Sequence, residues 1–198
     1  MTINLSNYGE GILICGDAHT HTDKLDAIKN RHPDIKERFF LGDLLTFTDS
    51  KGNLTKEGNK ETCEWLKKNI NEWYFAAGNH DHATCREKWK YDIDQETYDL
   101  VAGRFQISYE LRVGNAKYLL LHSKLKSLWD FINLGYQFRE LEDDFPNYEE
   151  YKLIIGAHVH KEFVHNFFET DTQLVQIGAV RDNKYAILTE KGIEFKKI

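Results

Sequence analysis

Gly11-Ile12-Leu13-Ile14-Cys15-Gly16-Asp17-Ala18-His19 runs from an unbroken apolar stretch straight into glycine and two ligand-type side chains. A short apolar run with no polar interruption reads as a strand buried on both faces, and the Gly-Asp that ends it marks where the backbone leaves the sheet. The pattern recurs twice: residues 38–41 close on Gly42-Asp43, and residues 73–77 close on Gly78-Asn79. Helix-like segments separate the three runs, at 23–30 and roughly 60–70, the second with Cys63, Trp65, Leu66 and Ile70 near helical spacing. Strands alternating with helices predict a parallel α/β sheet. Such sheets carry their sites just beyond the C-terminal strand ends, where all three polar motifs fall.

The second half of the chain is patterned differently. Runs 106–113 and 116–121 flank Gly114-Asn115, which predicts a tight hairpin whose second strand ends at His122. Residues 153–155 lead into His158, and 173–177 and 185–188 read as further strands before Lys191-Gly192. The expected architecture is an α/β four-layer αββα sandwich, two mixed sheets packed face to face with helices outside. Segments 83–104, partly helical, and 124–151, a helical insertion with an acidic end, are expected at the periphery of a single domain spanning 1–198.

Length and composition bound the possibilities. The 198 residues suffice for one well-buried domain, and 41% hydrophobic with 29% charged residues is ordinary for a globular chain. No apolar run approaches the roughly 18 residues needed to span a bilayer, and residues 1–10 lack the basic start and apolar stretch of a signal peptide. A cytoplasmic protein without a membrane partner is the expectation. Cys15, Cys63 and Cys85 are odd in number and lie in or near core segments, which predicts buried free thiols. The net charge of −6 makes long nucleic acid a poor partner. Nothing in the sequence speaks to oligomeric state.

The polar motifs form one ordered series: Asp17-Ala18-His19, Gly42-Asp43, Gly78-Asn79-His80-Asp81, His122 and His158-Val159-His160. Asp17 and His19 are two apart, so both reach one ion from an irregular turn but not from a flat strand. Gly78-Asn79-His80-Asp81 is the most specific segment, expected by chance in on the order of one chain in a thousand of this length. Singly, Asp17, Asp43 or Asn79 is most simply a turn or cap residue; jointly, at successive strand ends, they are not. His21, His32, His82 and His165 belong to no motif and read as surface or hydrogen-bonded residues, with His21 and His82 nearest the motifs. Trp65, Trp73, Trp89 and Trp129 read as core or cap packing, Trp89 and Trp129 having the alternative of lining a cleft.

The order, spacing and residue types of this series closely resemble the calcineurin-like metallophosphoesterase family. The resemblance covers most of the chain outside the two peripheral segments. It departs from the family pattern at Ala157, where Gly usually precedes the first His of the last motif, and at Ser123, where Gly commonly follows His122. It implies the αββα fold and a site of two divalent metals. Asp17, His19 and His160 would hold the first, Asp43 would bridge, and Asn79, His122 and His158 would hold the second. Imidazole, carboxylate and amide donors suit Mn²⁺ first, with Fe, Zn, Ni or Co as alternatives, over Mg or Ca. A hydroxide held between the metals would attack phosphorus in line, His80 would protonate the leaving oxygen or stabilise its charge, and Asp81 would orient the His80 ring. Asn79, His80 and Arg181 are the expected substrate contacts.

The expected activity is hydrolysis of a phosphodiester or pyrophosphate-type bond in a small phosphate-ester substrate. A serine/threonine protein phosphatase is the alternative. That branch usually carries Asp-Arg-Gly after the second motif, where Leu44-Leu45-Thr46-Phe47 stands, and Glu after Asn-His, where Asp81 stands. A nuclease would be expected to add a basic face. A noncatalytic scaffold would be expected to lose ligands, and all eight positions, the seven ligands and His80, are present.

Overall fold

The structure is a computed structural model that describes residues 1–49, 53–123, 147–167 and 170–198. Its elements are β1 (Thr2–Leu5), β2 (Ile12–Cys15), α1 (Thr22–Arg31), β3 (Glu37–Leu41), β4 (Phe47–Thr48), β5 (Leu54–Thr55), α2 (Asn59–Asn69), β6 (Tyr74–Ala76), α3 (Asn79–Arg86) and α4 (Gln95–Arg104). They are followed by β7 (Ser108–Val113), β8 (Ala116–Leu121), β9 (Leu153–Gly156), β10 (Glu162–Asn166), β11 (Gln173–Ile177), β12 (Lys184–Thr189) and β13 (Gly192–Lys197).

The unbroken apolar runs became β2 and β3, which lie inside their sheet, and β6, which lies at its edge. A five-stranded sheet has the order β13-β12-β2-β3-β6, with β2, β3 and β6 mutually parallel and β12 antiparallel to β2. A six-stranded sheet has the order β1-β7-β8-β9-β11-β10 and is also mixed: β7 and β8 form the hairpin around Gly114, whereas β8, β9 and β11 run parallel. The two sheets pack face to face through Ile12, Ile14, Phe39 and Leu41 on one side and Leu111, Tyr118, Leu120, Ile155 and Val175 on the other. Strand alternation turns Leu13, Cys15 and Phe40 to the opposite face, where Leu25 and Ile28 of α1 and Cys63 and Leu66 of α2 cover them. This is the sandwich architecture the motifs implied. On the outer face of the six-stranded sheet, Leu121, Ile154 and Leu174 pack with Phe167, Tyr148 and Tyr151. The helical insertion expected at 124–151 falls largely outside the described residues; of it, Tyr148–Glu150 is a 3₁₀ turn.

Several elements differ from the sequence expectation. β1, β10 and β13 were not anticipated, because their half-exposed patterns show no run of buried positions. Helix α3 begins at Asn79, so the most specific motif forms a helix N-terminus and is not only a strand-end loop. Trp65 and Trp73 are buried as expected, but Trp89 is 80% exposed, in the turn that joins α3 to α4. Trp129 lies outside the described residues. All three cysteines are free thiols, Cys15 and Cys63 buried and Cys85 half-buried. Among the described residues, no helix is long and apolar enough to cross a membrane.

Candidate metal centre

Both sheets deliver their motifs to one place. Asp17 follows β2, Asp43 follows β3 and Asn79 follows β6, while His122 and His158 follow the parallel strands β8 and β9. The sheets close tightly there. A Cβ on Gly16 would lie 2.6 Å from the Ala157 Cβ, and the Ala157 N–H donates to the His122 carbonyl at 3.0 Å. Gly78 is more constrained still, since a Cβ would fall 2.1 Å from Asp43 Oδ1.

The ligand-type residues sit on unusual backbone. Asp17 (φ 52°), His19 (44°), Asp43 (58°), His158 (74°) and His160 (56°) are all left-handed, a conformation that costs a non-glycine residue on the order of 1 kcal/mol or more and persists only where surroundings impose it. This is how residues two apart, Asp17 with His19 and His158 with His160, turn their side chains to the same side.

Their donor atoms fall in two clusters, Asp17 with His19 and His160, and Asp43 with His122 and His158, and Asp43 also groups with His19 and His80, which links the two. In the first, His160 Nε2 lies 3.1 Å from Asp17 Oδ1 and 3.2 Å from His19 Nε2. In the second, His122 Nε2 lies 3.3 Å from Asp43 Oδ2, 3.1 Å from Asn79 Oδ1 and 3.1 Å from His158 Nδ1. His19 Nε2 stands 3.9 Å from Asp43 Oδ2, which places that carboxylate between the clusters.

The chemistry of this donor set fits a cation. His19 Nδ1 lies 2.9 Å from the Thr46 carbonyl and His122 Nδ1 2.6 Å from the Leu41 carbonyl. A carbonyl only accepts, so both Nδ1 atoms donate and both Nε2 lone pairs face carboxylate, amide and imidazole acceptors. Acceptors converging on acceptors repel unless a positive charge sits among them. The same carboxylates favour a proton on His122. Burial opposes the charged ring, but Asp43 outweighs it and raises its pKa to about 9. Asp43 is buried too, yet the His122 charge and hydrogen bond hold its carboxyl well below the usual carboxylate range. Burial lowers His19 to about 4 against the pull of Asp43 and Asp17, and it also lowers His158.

His80 and Asp81 occupy different layers. The His80 N–H donates to Asp43 Oδ1 at 2.8 Å, and the ring packs edge-on against His19 with centroids 4.6 Å apart. A ring nitrogen of His80 lies within 4.8 Å of donor atoms of His19 and Asp43, at the edge of the centre. Asp81 does not orient this ring, contrary to the sequence expectation. It is fully buried, and its carboxylate accepts the N–H groups of Asp43 (2.9 Å), Leu44 (3.0 Å), Leu45 (3.0 Å) and Gly78 (3.0 Å). A side chain at the third position of α3 reaches back over its own helix start and pins the adjacent loop. Burial and the Asp43 charge push its pKa up to about 6 while the Leu45 and Gly78 N–H groups pull it down. The His80 ring instead meets the Thr46 hydroxyl, with Nδ1 and Oγ1 3.2 Å apart.

Arg181 joins the site through its backbone. Its N–H donates to the Asp17 carbonyl at 3.2 Å, while its guanidinium lies 3.7 Å from the Asp182 carboxylate. His21 and His82 are exposed and belong to neither cluster. Thr46, Thr84 and Asn59 are the buried polar residues around the centre that no motif marked; the one signal for Thr46 was a polar residue inside the apolar loop Leu44-Leu45-Thr46-Phe47.

The model of the calcineurin-like phosphoesterase family matches residues 11–172. A metallophosphoesterase from Sphaerobacter thermophilus superposes with a TM-score of 0.62 at 18% identity, covering 94% of this chain and 87% of its own. YfcE, a phosphoesterase from E. coli, gives 0.59 at 14% identity over 90% of this chain and 88% of its own. An archaeal phosphodiesterase gives 0.53 at 15% identity over 94% and 98%. At these identities the superpositions show a shared fold. No curated protein sequence matches this one significantly.

Proposed function

Because the chain belongs to the calcineurin-like phosphoesterase family and is a hydrolase of phosphate ester bonds, we propose that it cleaves a phosphodiester or pyrophosphate-type bond of a small substrate at a dinuclear centre. The observation that carries this reading is that one buried carboxylate, Asp43, groups with His122 and His158 on one side and with His19, a member of the Asp17 and His160 cluster, on the other. Asp17, His19 and His160 would hold one divalent ion, Asn79, His122 and His158 would hold the other, and Asp43 would reach both; Mn²⁺ is the first choice for each. When bound, the ions supply positive charge to the phosphoryl oxygens and acidify water toward a pKa of roughly 7. The chain's own residues hold the reactants. Asn79 and His80, in the first turn of α3, meet the phosphoryl group at a helix N-terminus, where partial positive charge favours an anion. His80 gives a proton to the leaving oxygen or stabilises its charge.

Diester preference follows from charge. A phosphomonoester carries nearly two negative charges, and enzymes specialised for it add arginine clamps. The loop after Asp43 has no arginine up to Lys51, and the Arg181 guanidinium lies beside Asp182. The test is kcat/KM with Mn²⁺ for bis-(p-nitrophenyl) phosphate against p-nitrophenyl phosphate. A higher value for the diester is expected. Monoester preference would move the protein-phosphatase-like reading to the front, and efficient cleavage of DNA or RNA would favour a nuclease.

A further inference from the structure

The loop after Asp43 ends on Thr46, which is fully buried and left-handed at φ 51°. For a β-branched residue that is a strained conformation, kept only where neighbours impose it. Here the Thr46 N–H donates to Asn59 Oδ1 at 2.8 Å, and the Asn59 amide donates in turn to the Tyr91 carbonyl at 2.9 Å. Held this way, Thr46 serves two histidines at once. Its carbonyl accepts His19 Nδ1, and its hydroxyl lies 3.2 Å from His80 Nδ1 and 3.1 Å from Thr84 Oγ1. Thr84 is fully buried as well. Among the described residues no carboxylate is hydrogen-bonded to the His80 ring: Asp81 is committed to four backbone N–H groups, and Asp43 Oδ1 takes the backbone N–H of His80.

We infer that Thr46 is the positioning residue for His80, and that Thr46 with Thr84 forms an uncharged hydroxyl relay where a carboxylate would otherwise stand; the inference rests on His80 acting beside the metal centre as proposed above. A hydroxyl has one proton to give and can accept from a neighbour. His80 Nδ1–H donates to Thr46 Oγ1, the Thr46 hydroxyl proton turns to Thr84 Oγ1, and Nε2 is the nitrogen left to face substrate. Nε2 is then the nitrogen presented to the departing oxygen, and a proton given from it leaves the neutral Nδ1–H tautomer, still bonded to Thr46, so the ring need not rotate. The hydroxyl thus sets tautomer and orientation without adding negative charge beside the incoming phosphate.

The test reads the ring directly. Side-chain ¹⁵N–¹H spectra of the Zn²⁺-loaded and metal-free protein, with His80 assigned by its loss in His80→Gln, are expected to show the neutral ring as the Nδ1–H tautomer in wild type and in Thr46→Ser. In Thr46→Val, the Nε2–H tautomer is expected to become populated. That variant is expected to lose ~10–100-fold in kcat on substrates with poor leaving groups, a fraction of the usual general-acid contribution, with KM little changed and serine restoring most of the loss. Thr84→Val removes the far end of the relay without touching the loop and is expected to shift the ring in the same direction by less. If Thr46→Val does not fold, the Thr84→Val spectrum decides. An unchanged tautomer, or a loss equal on nitrophenolate and poor leaving groups, overturns the inference. If wild type cleaves no phosphate ester, the proposed function fails while the ring spectra still judge Thr46.

Discussion

The Asp81 carboxylate reaches back from helix α3 and accepts the backbone N–H of Asp43 at 2.9 Å. The Asp43 backbone is therefore held by a carboxylate that is itself fully buried. Asp81→Ala leaves four buried N–H groups without their acceptor, and each orphaned group costs on the order of 1–3 kcal/mol. Partial rearrangement lowers the sum, and a loss of about 2–4 kcal/mol in urea unfolding is expected, with weaker metal retention because Asp43 loses its anchor. Wild-type stability in this variant would return Asp81 to a catalytic role.

Gly78 is the tightest contact in the centre. A Cβ there would meet Asp43 Oδ1 at 2.1 Å and the Asp43 nitrogen at 2.3 Å, neither of which can give way without moving the ligand. Gly78→Ala is expected to abolish stoichiometric metal binding, read by elemental analysis after gel filtration. An alanine variant with full metal content would show that the loop has room the structure does not.

Asp43 stands between the two clusters, 3.3 Å from His122 Nε2 and 3.9 Å from His19 Nε2. Replacing it with asparagine removes one of the two oxygens and the charge, so Asp43→Asn is expected to lower metal content and activity more than His19→Ala, which touches one cluster. Two ions retained in Asp43→Asn would argue against bridging.

His80 is expected to work on the leaving group and not on the ions. His80→Ala should keep both metals while turnover of substrates with poor leaving groups falls ~10²–10⁴-fold. Nitrophenolate leaves with little protonation and should suffer less. Equal losses on the two substrates would reduce His80 to phosphate positioning.

The thiols should be inert in the native state. Burial raises all three, Cys85 to about 12, and only the thiolate attacks a disulfide. At about pH 8 each group stays protonated, and Cys15 and Cys63 are shielded as well, so a chromogenic disulfide reagent is expected to find neither of these two in the folded protein, the half-buried Cys85 only slowly, and all three in denaturant. Rapid native reaction of Cys15 or Cys63 would mean that the helices covering them open readily.

Much of the centre was legible because each motif follows a run whose apolar character is local. Residues 11–15, 38–41 and 73–77 each declare a buried strand within a few positions, and the residue after the run is then at a strand end. Strands β10 and β13 declare nothing of the kind, since their places depend on antiparallel partners β11 and β12 and their side chains are half-exposed.

The sequence by itself determined which residues could be ligands, in what order they come, and that three of them leave a parallel sheet at its C-terminal edge. Tertiary structure alone decided what each polar neighbour does. Asp81 lies next to His80 in the chain, yet a helix start turns its carboxylate onto the backbone of residues 43–45, while Thr46, 34 positions away, meets the ring. Adjacency along a helix sends successive side chains about 100° apart, so the partner of a buried histidine is set by whichever loop packs against that face.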